Sequence, residues 1–438
     1  MSDAFDPTTD PGLQSWVPSA AGSDFPIQHL PYGAFVRAGE ATPRLGVAIG
    51  DKVLDLHAVA HAGLLDEALP EAAWVFAQPT LNALLQRPKT TWRAVRGVLS
   101  RLLSLGDLSL RDEGIAQRAL VARSDVRMTL PIEVRDYVDF YSSLNHALNV
   151  GRFFRPDDPL LPNYRWIPIG YHGRSSGVVV SGTPIVRPNG QRKSPDAPAP
   201  SFGPCRLLDI ELELAFITGD GPPLGTPFPV WQAEDYIFGV ALMNDWSARD
   251  IQSWEYQPLG PFLGKSFGTS LAAWITPLEA LEPFRSTGPV QEPAPLDYLA
   301  PRGNHHFDIA LEVGLASEVM QREGVAPTVV AETNFRTMYW TMAQQLAHLS
   351  SNGSRVQAGD VNGSGTISGS EPGSYGSLLE LTQRGTQKLE LADGSLRGFL
   401  EDGDLVTLRG RCERDGAVPI GLGEASGVVL PAPAPWVD

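Results

Sequence analysis

The 438-residue chain contains little cysteine, because Cys205 and Cys412 are its two cysteines. Two cysteines cannot build a disulfide framework, and this pair lacks the close spacing of a zinc site. The sequence also lacks a run of ~18 apolar residues, the length that a membrane helix needs. The acidic N-terminus lacks the basic and apolar segments of a signal peptide. We therefore expect a protein of the reducing cytoplasm that does not enter a membrane.

Positive charge is scarce as well, because 34 lysines and arginines stand against 50 aspartates and glutamates, for a formal net charge of −16. Nucleic acids and anionic membrane surfaces bind clustered positive charge, so this balance argues against both partners. An anionic small-molecule substrate would need a local basic pocket. A hydrophobic content of 42% indicates a globular protein, while 44 glycines and 38 prolines predict many turns and few long helices.

At roughly 150 residues per domain, the length predicts one large domain and a smaller one. Residues 32–56 have the apolar alternation of short strands, with a hairpin at Gly50 and Asp51, and residues 65–117 have helical spacing. Near Pro131, polar sequence gives way to the aromatic run DYVDFYSSLNHALNV. We therefore place a small N-terminal β domain with helices at residues 1–130 and the larger domain at residues 131–438.

The larger domain consists mainly of strand-like segments separated by turns. Strands are predicted at residues 176–188, 206–219, 236–246, 306–316, 378–391 and 404–412, and helices at residues 143–154 and 334–353. Residues 189–204 are rich in proline and are expected to form a loop. The predicted fold class is mainly β, within an α+β protein.

Acidic and apolar residues alternate in the predicted strand LLDIELELAF. Asp209, Glu211 and Glu213 would share one face of this strand, and the residues between them would share the other. A solvated edge strand is an equally good explanation, because like charges cost little when they are exposed. Two further acids weaken that alternative: Asp245 ends an apolar run expected inside a sheet, and Asp139 lies in an aromatic run.

A divalent metal ion would satisfy the four acids Asp139, Glu211, Glu213 and Asp245. Their donor atoms are oxygens, and neither cysteine nor a spaced histidine pair lies nearby. This set favours Ca²⁺ or Mg²⁺, with Mn²⁺ as an alternative, over Zn²⁺. Four carboxylates overcompensate one dication, and Lys265 in the segment GPFLGKSFGTS could supply further positive charge. An ordinary surface lysine is the alternative for Lys265.

His146 is the candidate general base. It follows Ser142 and Ser143, which form a plausible N-cap of a short helix. Glu380, which has apolar neighbours in a predicted strand, could orient the imidazole for this task. A lone histidine is more often an ordinary surface or core residue. The sequence does not show that His146 and Glu380 meet.

Arg249 and Gln252 are candidate donors to an oxyanion. They are three positions apart, hence on one face of a helix that would start just after the predicted metal ligands. From there both side chains could donate hydrogen bonds to an oxyanion formed beside the metal. The alternative is a surface ion pair between Arg249 and Asp250 or Glu255.

Several segments, in their order along the chain, resemble the fumarylacetoacetate hydrolase family. They are DFYSSLNHALNVG, IPIGYHGRSSGVVVSGTPI, LLDIELELAF, MNDWSARDIQSWEYQPLGPFLGKSFGTS, MYWTMAQQLAHLSSNG and SGTISG. The resemblance extends from about residue 32 to about residue 431 and is densest over residues 136–270. It implies a small N-terminal β-barrel of the Src-homology-3-like kind and a C-terminal mixed β-sandwich roll. It also implies a homodimer, with the active site near the interface.

The resemblance implies roles for individual residues. The metal ligands would be Asp139, Glu211, Glu213 and Asp245, and Lys265 and Thr269 would join Asp245 at a second Mg²⁺ site. The water-activating pair would be His146 and Glu380, and the groups around the oxyanion would be Arg249, Gln252 and Lys265. The substrate would contact Tyr141, Arg155, Tyr171, Arg249, Gln252, Tyr256 and Thr366. The chain departs from the family pattern at Leu144 and Asn145, which replace a polar or charged pair before the histidine.

The activity that the resemblance implies is hydrolysis of a carbon–carbon bond in 4-fumarylacetoacetate, a small dicarboxylic dicarbonyl compound. The products would be fumarate and acetoacetate, in the last step of tyrosine and phenylalanine catabolism. One alternative is hydrolysis of another acylpyruvate or β-diketone, or a decarboxylation or isomerisation, by the same superfamily. Another is a metal-stabilised β scaffold that binds carboxylates without turnover.

Overall fold

The computed structural model describes residues 6–111 and 113–434 of the chain. Strands dominate these residues and short helices connect them, which confirms the predicted mixed α+β class. The strands of the described ranges form a 13-stranded sheet, a five-stranded sheet and four two-stranded sheets. Within the same ranges, no helix is both long enough and apolar enough to cross a membrane.

The N-terminal region is an antiparallel meander that continues into the large sheet. The predicted hairpin is confirmed, because Arg44–Ile49 pairs with Lys52–Asp55 and Gly50 in the turn has a φ of 55°, which glycine adopts without a steric penalty. Tyr32 pairs with Ile275, so hydrogen bonds join this region to the strands of the second half. That these strands form a barrel of the Src-homology-3-like kind stays a prediction. The strands are Tyr32–Arg37, Arg44–Ile49, Lys52–Asp55, Leu120–Ala122 and Val126–Thr129, and the helices are Leu56–His61, Ala72–Val75, Asn82–Leu85, Lys89–Leu103 and Glu113–Ala119.

The centre of the large sheet consists of two antiparallel strands, Leu212–Thr218 and Ile237–Asp245, whose residues are all buried. Both strands were predicted, and their apolar residues explain why both faces of the sheet are covered. Val361–Gly363 lies between Leu212–Thr218 and Tyr137–Phe140. The remaining strands of this half of the sheet are Gly170–His172, Val178–Val180, Thr269–Leu271 and Trp274–Pro277.

The register of these strands brings three acids to one face of the sheet. Residues directly opposite each other on neighbouring strands point to the same face, as do residues two positions apart on one strand. Met243 lies opposite Glu213 and two positions before Asp245. Gly363 lies opposite both Asp139 and the residue two positions after Glu213. The side chains of Asp139, Glu213 and Asp245 therefore project from the same face.

The prediction of a strand at residues 378–391 is wrong for most of its length, because Leu378–Leu381 is a helix and the strand in this range is limited to Leu389–Glu390. Ser377 caps this helix by accepting a hydrogen bond from the backbone N–H of Glu380. Asp209 accepts hydrogen bonds from the first two backbone N–H groups of the same helix. The second cap comes from a residue far away in the sequence, so the local apolar pattern could not reveal it.

Other local predictions have mixed outcomes. Residues 189–204 are not a loop throughout, because Asn189–Arg192 and Ser201–Pro204 form a hairpin. Most of the prolines lie in its turn or at its ends, where they remove few ladder hydrogen bonds. The predicted helix at residues 143–154 is confirmed as Leu144–Phe154, and the longer prediction at 334–353 narrows to Met342–Ser350.

The five-stranded sheet includes residues of three predicted strands, those at 176–188, 306–316 and 404–412. It consists of Ile185–Val186, Ala310–Ala316, Thr328–Asn334, Leu405–Cys412 and Ile420–Leu430. Apart from the hairpin, the small sheets are formed by three pairings: Leu208–Asp209 with Ser247–Ala248, Arg285–Ser286 with His306–Phe307, and Leu389–Glu390 with Leu396–Arg397. The other α-helices are Val230–Ala233, Arg249–Glu255, Leu278–Leu281 and Glu318–Glu323. Single 3-10 turns lie at Pro7–Thr9, Pro18–Ala20, Arg123–Asp125, Ser175–Gly177, Glu282–Phe284, Asp297–Leu299 and Phe335–Thr337.

Asp360 ties together the starts of two parallel strands next to the acidic face. Its carboxyl group accepts the backbone N–H of Asp136 at 3.2 Å and that of Gln357 at 2.8 Å. Burial raises the pKa of Asp360 to about 7, the backbone hydrogen bonds oppose this rise, and the nearby carboxylates of Asp136 and Asp220 add to it.

We predict that Asp360→Asn flattens the pH dependence of stability. Because the folded-state pKa of Asp360 lies above its ordinary value of 3.8, the stability that this group contributes is complete below about pH 4 and is lost as the pH rises through about 7. In urea denaturation, the unfolding free energy of the unchanged chain should fall between about pH 5 and pH 8, and that of the variant should fall less. The lost hydrogen bond should cost about 1 kcal/mol at every pH. The exposed Asp415→Asn is the control, and equal slopes for Asp360→Asn and the unchanged chain would contradict the prediction.

Candidate active site

The four acids predicted as metal ligands lie together. Asp139, Glu211, Glu213 and Asp245 are buried, and each offers an oxygen within 4.8 Å of the others. Burial raises the pKa of Asp139 and of Glu213 well above the usual range, and repulsion from the neighbouring carboxylates raises both further. The cluster therefore places several carboxylates in the protein interior, where the charged form of a carboxyl group is poorly solvated.

The residues of this cluster fit a hard divalent cation. Asp139 Oδ1 and Glu213 Oε1 are buried and accept no hydrogen bond from any residue within the described ranges. An unsatisfied buried polar atom costs about 1–3 kcal/mol, and a charged one costs more. All four donors are carboxylate oxygens, the ligands that such cations prefer. The four side chains that would hold the ion are Asp139, Glu211, Glu213 and Asp245.

Lys265 offsets part of the negative charge. Its Nζ donates to Glu211 Oε2 at 2.6 Å and to Asp245 Oδ2, and its side chain is buried, so it is not a surface lysine. Burial lowers the pKa of Lys265, but Asp245 and Glu211 raise it more, and the net pKa lies above the usual value. Burial raises the pKa of Glu211, whereas Lys265 and then Arg249 hold it far below its usual range. The positive charge is therefore concentrated around Glu211.

Asp245 also accepts hydrogen bonds from two residues that the family resemblance implied. Tyr171 donates its hydroxyl to Oδ2 at 3.2 Å, and Thr269 donates its hydroxyl to Oδ1 at 3.3 Å. A cavity of about 460 Å³ lies against this side of the cluster, with Asp245, Lys265 and the exposed Phe262 in its wall. A small molecule could thus reach the buried carboxylates from this side.

Two glycines lie beside the carboxylates at positions where a side chain does not fit. A Cβ atom on Gly363 would lie 2.7 Å from Asp139 Oδ1 and 2.9 Å from Glu213 Oε2, closer than such atoms approach in real structures. Gly365 has a φ of 79°, and its N–H donates to Glu213 Oε2 at 2.9 Å. This conformation is strained for residues with a side chain. A Cβ atom on Gly365 would also lie 2.3 Å from the carbonyl oxygen of Phe140.

Arg249 lies on the helix Arg249–Glu255 and is held by three acceptors. Nε donates to Asp209 Oδ2 at 2.8 Å, Nη1 lies 2.6 Å from Glu211 Oε1, and Nη1 also donates to Gln252 Oε1 at 3.3 Å. Nη2 is buried and has no hydrogen-bond partner among the described residues. The alternative of a surface ion pair with Asp250 or Glu255 is wrong, because Arg249 points inward.

His146 and Glu380 form a buried pair. Ser143 caps the helix that carries His146, and His146 Nδ1 lies 2.7 Å from Glu380 Oε2. Glu380 also accepts hydrogen bonds from Asn149 at 3.0 Å, from Ser368 at 3.0 Å and from Ser377 at 2.7 Å. Burial raises the pKa of Glu380, whereas His146 and these hydrogen bonds lower it, and the net pKa lies below the usual value. Glu380 is therefore an ionised acceptor that fixes the imidazole.

The other substrate contacts that the resemblance implies differ in their burial and in their distance from the site. The ring of Tyr141 meets that of His146 edge to face, with centroids 5.3 Å apart. Thr366 is buried, and its hydroxyl has no partner within the described ranges. Arg155 and Tyr256 are exposed, and among the described residues neither makes a hydrogen bond to the carboxylate cluster. Arg155 donates instead to the carbonyl of Pro159.

Sequence reasoning missed several groups that support the site. Asn149, Ser368 and Ser377 hold Glu380, and Asp209 holds Arg249. Gly363 leaves room beside Asp139 and Glu213, and the N–H of Gly365 binds Glu213. The run NGSGTISG was the available signal, since closely spaced glycines and hydroxyls indicate close backbone approach. At the position of the departure from the family pattern, Asn145 donates to the carbonyl of Ser368 at 3.1 Å and Leu144 packs against the core.

Comparison with known proteins gives matches over nearly the whole chain. The model for the C-terminal part of fumarylacetoacetate (FAA) hydrolase matches residues 136–429, and the model for the N-terminal part of fumarylacetoacetase matches residues 28–131. The fumarylacetoacetase of Bos taurus is 50% identical over 420 residues, which cover 95% of this chain and 99% of that protein. The fumarylacetoacetase of Homo sapiens is 49% identical over 423 residues, or 96% of this chain and 100% of that protein. That of Caenorhabditis elegans is 50% identical over 426 residues, with the same coverage.

Among solved structures, a fumarylacetoacetate hydrolase from the psychrophilic Exiguobacterium antarcticum has a TM-score of 0.50 and 17% identity, covering 92% of this chain and 99% of that chain. At this identity the similarity shows the fold alone. The mixed sheet and the buried carboxylates define an α+β protein with a site for a divalent cation. The chain belongs to the fumarylacetoacetate hydrolase family.

We predict that Gly363→Ala weakens metal binding without unfolding the chain. The added methyl group would displace the carboxylates of Asp139 and Glu213, so affinity for Mn²⁺ in calorimetric titration should fall by at least ~10-fold. Gly97→Ala is the matched control, because Gly97 lies in the helix Lys89–Leu103 and its added methyl group would meet no described atom within 4 Å beyond its chain neighbours and the backbone of that helix. Unchanged affinity in the folded Gly363→Ala variant would refute the prediction.

Proposed function

We propose that this protein hydrolyses 4-fumarylacetoacetate to fumarate and acetoacetate, in the last step of tyrosine and phenylalanine catabolism. Relatives about 50% identical over almost the full length are fumarylacetoacetases, which supports this substrate. The observation that carries the proposal is that a histidine–glutamate pair and a four-carboxylate cluster occur in one site. Arg249 connects to the cluster through Glu211, and Asp209 connects Arg249 to the helix that carries Glu380.

We propose Ca²⁺ or Mg²⁺ as the ion of the carboxylate cluster, with Mn²⁺ as an alternative. A bound divalent cation supplies Lewis acidity that polarises the two oxygens of a β-dicarbonyl compound. At a second Mg²⁺ site beside Asp245, Thr269 could offer its hydroxyl. Lys265 would have to offer its backbone carbonyl, because its ammonium group carries only donors. The hydrogen bonds from Thr269 and Lys265 to Asp245 support this location.

His146 is the proposed general base. Its Nδ1 faces the ionised Glu380 and so carries the proton, which leaves the lone pair on Nε2. Nε2 makes no hydrogen bond to a described residue, and it can take a proton from a water molecule as the water oxygen attacks the carbonyl carbon. When the carbon–carbon bond breaks, its electron pair leaves with acetoacetate as an enolate. The proton on His146 then returns to the enolate carbon.

Arg249, Gln252 and Lys265 are the proposed donors to the oxyanion of the tetrahedral intermediate. Within the described part of the chain, neither the buried Arg249 Nη2 nor the amide nitrogen of Gln252 makes a hydrogen bond, so both remain available to a ligand. A well-placed donor of this kind is typically worth ~3–4 kcal/mol. We propose Tyr141, Arg155, Tyr171, Tyr256 and Thr366 as substrate contacts. Arg155 and Tyr256 are exposed, so they would have to contact the substrate at the entrance of the site.

We further propose that the chain acts in the cytoplasm as a homodimer. Its two cysteines are both free and buried, which suits a reducing compartment. Leu259, Phe262 and Leu263 are large, apolar and exposed in one short segment, as expected of an interaction surface. Light scattering at micromolar concentration should give twice the chain mass, and a monomer under these conditions would contradict the homodimer.

We predict that purified chain consumes fumarylacetoacetate, followed by its absorbance, and that a chelator stops the reaction. His146→Ala should lower kcat by ~10²–10⁴-fold, because it removes the base, and should leave metal affinity unchanged, because the imidazole is not a ligand of the cluster. His348→Ala is the matched control, since His348 bonds to Tyr298 outside the site. Turnover that survives the chelator would refute the metal-dependent mechanism, and full activity of His146→Ala would refute the role of the histidine.

A further inference from the structure

Asp209 is the one acid of the predicted acidic strand face that does not belong to the four-carboxylate cluster. It is fully buried on the short strand Leu208–Asp209, which pairs with Ser247–Ala248 just before Arg249. On its other side lies the one-turn helix Leu378–Leu381, which carries Glu380. Asp209 therefore lies between two groups to which the proposed mechanism assigns different tasks.

Every hydrogen-bonding neighbour of the Asp209 carboxylate is a donor. Oδ2 accepts Arg249 Nε at 2.8 Å and the backbone N–H of Leu379 at 3.0 Å. Oδ1 accepts the backbone N–H of Leu378 at 2.7 Å and that of Ile210 at 2.8 Å. Because all four groups donate, the two carboxyl oxygens of Asp209 act as acceptors toward every one of them.

Both groups depend on this carboxylate for their geometry. A helix of one turn has no internal partners for its first N–H groups, and Asp209 supplies acceptors for two of them. The position of the helix in turn fixes Glu380 at 2.7 Å from His146 Nδ1. On the other side, Asp209 fixes the Nε edge of the Arg249 guanidinium, which leaves Nη2 without a partner among the described residues.

We infer that Asp209 is a positioning residue that fixes the water-activating pair and the oxyanion arginine relative to each other. This inference rests on the proposed function. Asp209 touches neither the four-carboxylate cluster nor the imidazole, so it acts through Arg249 and through the helix of Glu380. Misplacement of either group by about 1 Å would be enough to lower kcat by about 10²-fold.

The chain offers a matched control for an ordinary buried ion pair. Asp55 is also fully buried, lies within hydrogen-bond distance of Arg37 and Arg44, and caps the helix Leu56–His61 through the N–H of Ala58. It belongs to the N-terminal meander, outside the candidate active site. Asp55→Asn and Asp209→Asn therefore remove the same charge from similar surroundings, and only the second is connected to the mechanism.

The test compares both variants in the full-length chain, saturated with Mn²⁺, with fumarylacetoacetate as substrate. Asp209→Asn should lower kcat by ~10–100-fold and leave KM and Mn²⁺ affinity within about threefold. Asp55→Asn should lose comparable thermal stability and keep kcat. Equal kcat in the two variants would overturn the inference, whereas an inactive unchanged chain would instead overturn the proposed function.

A double-mutant cycle separates positioning from general loss of structure. If Asp209 acts through its two partners, Asp209→Asn should cost a smaller factor in kcat in the Glu380→Gln background, and again in the Arg249→Lys background, than in the unchanged chain. The same factor in all three backgrounds would overturn the inference. If Asp209→Asn does not fold, Asp209→Glu replaces it, because it keeps the charge but is one methylene too long to meet both partners. A folded Asp209→Glu variant with full kcat would equally overturn the inference.

Discussion

The structure of the site depends on the electrostatics of four buried carboxylates held within 4.8 Å of one another. Two like charges about 4 Å apart repel by about 4 kcal/mol at an effective dielectric constant near 20, a strength typical near protein surfaces. Several such pairs together would outweigh the net stability of an ordinary domain, which is about 5–15 kcal/mol. The surrounding residues therefore have to supply positive charge, and Lys265 and Arg249 supply part of it.

This positive charge is distributed unevenly, and the distribution divides the site. Glu211 is bound by both Lys265 and Arg249 and has a strongly lowered pKa, whereas Asp139 and Glu213 have raised pKa values. The side of Asp139 and Glu213 therefore has the greatest need for a metal ion. The side of Glu211 holds the hydrogen-bond donors that an anionic substrate or intermediate requires. In the proposed mechanism, one set of carboxylates thus holds the cation and positions the donors to the oxyanion.

The parts of the site that could be predicted from the sequence are those where a local apolar pattern requires burial. Leu212–Thr218 and Ile237–Asp245 were predictable because long apolar runs must be buried, and an acid at the end of such a run needs a partner. The interposition of Val361–Gly363 between two strands was not predictable, because strand order is a non-local property. Glu380 was misassigned to a strand for the same reason, since the helix that carries it is capped by the distant Asp209.

The two functional parts of the site are built on different elements. The carboxylates project from the large sheet or from the residues leading into it, whereas His146 and Glu380 lie on the helices Leu144–Phe154 and Leu378–Leu381. Asp209, on the short strand Leu208–Asp209, connects the helix Leu378–Leu381 to Arg249 through buried hydrogen bonds. In the proposed mechanism, the activation of water and the binding of the cation therefore depend on different elements of the chain.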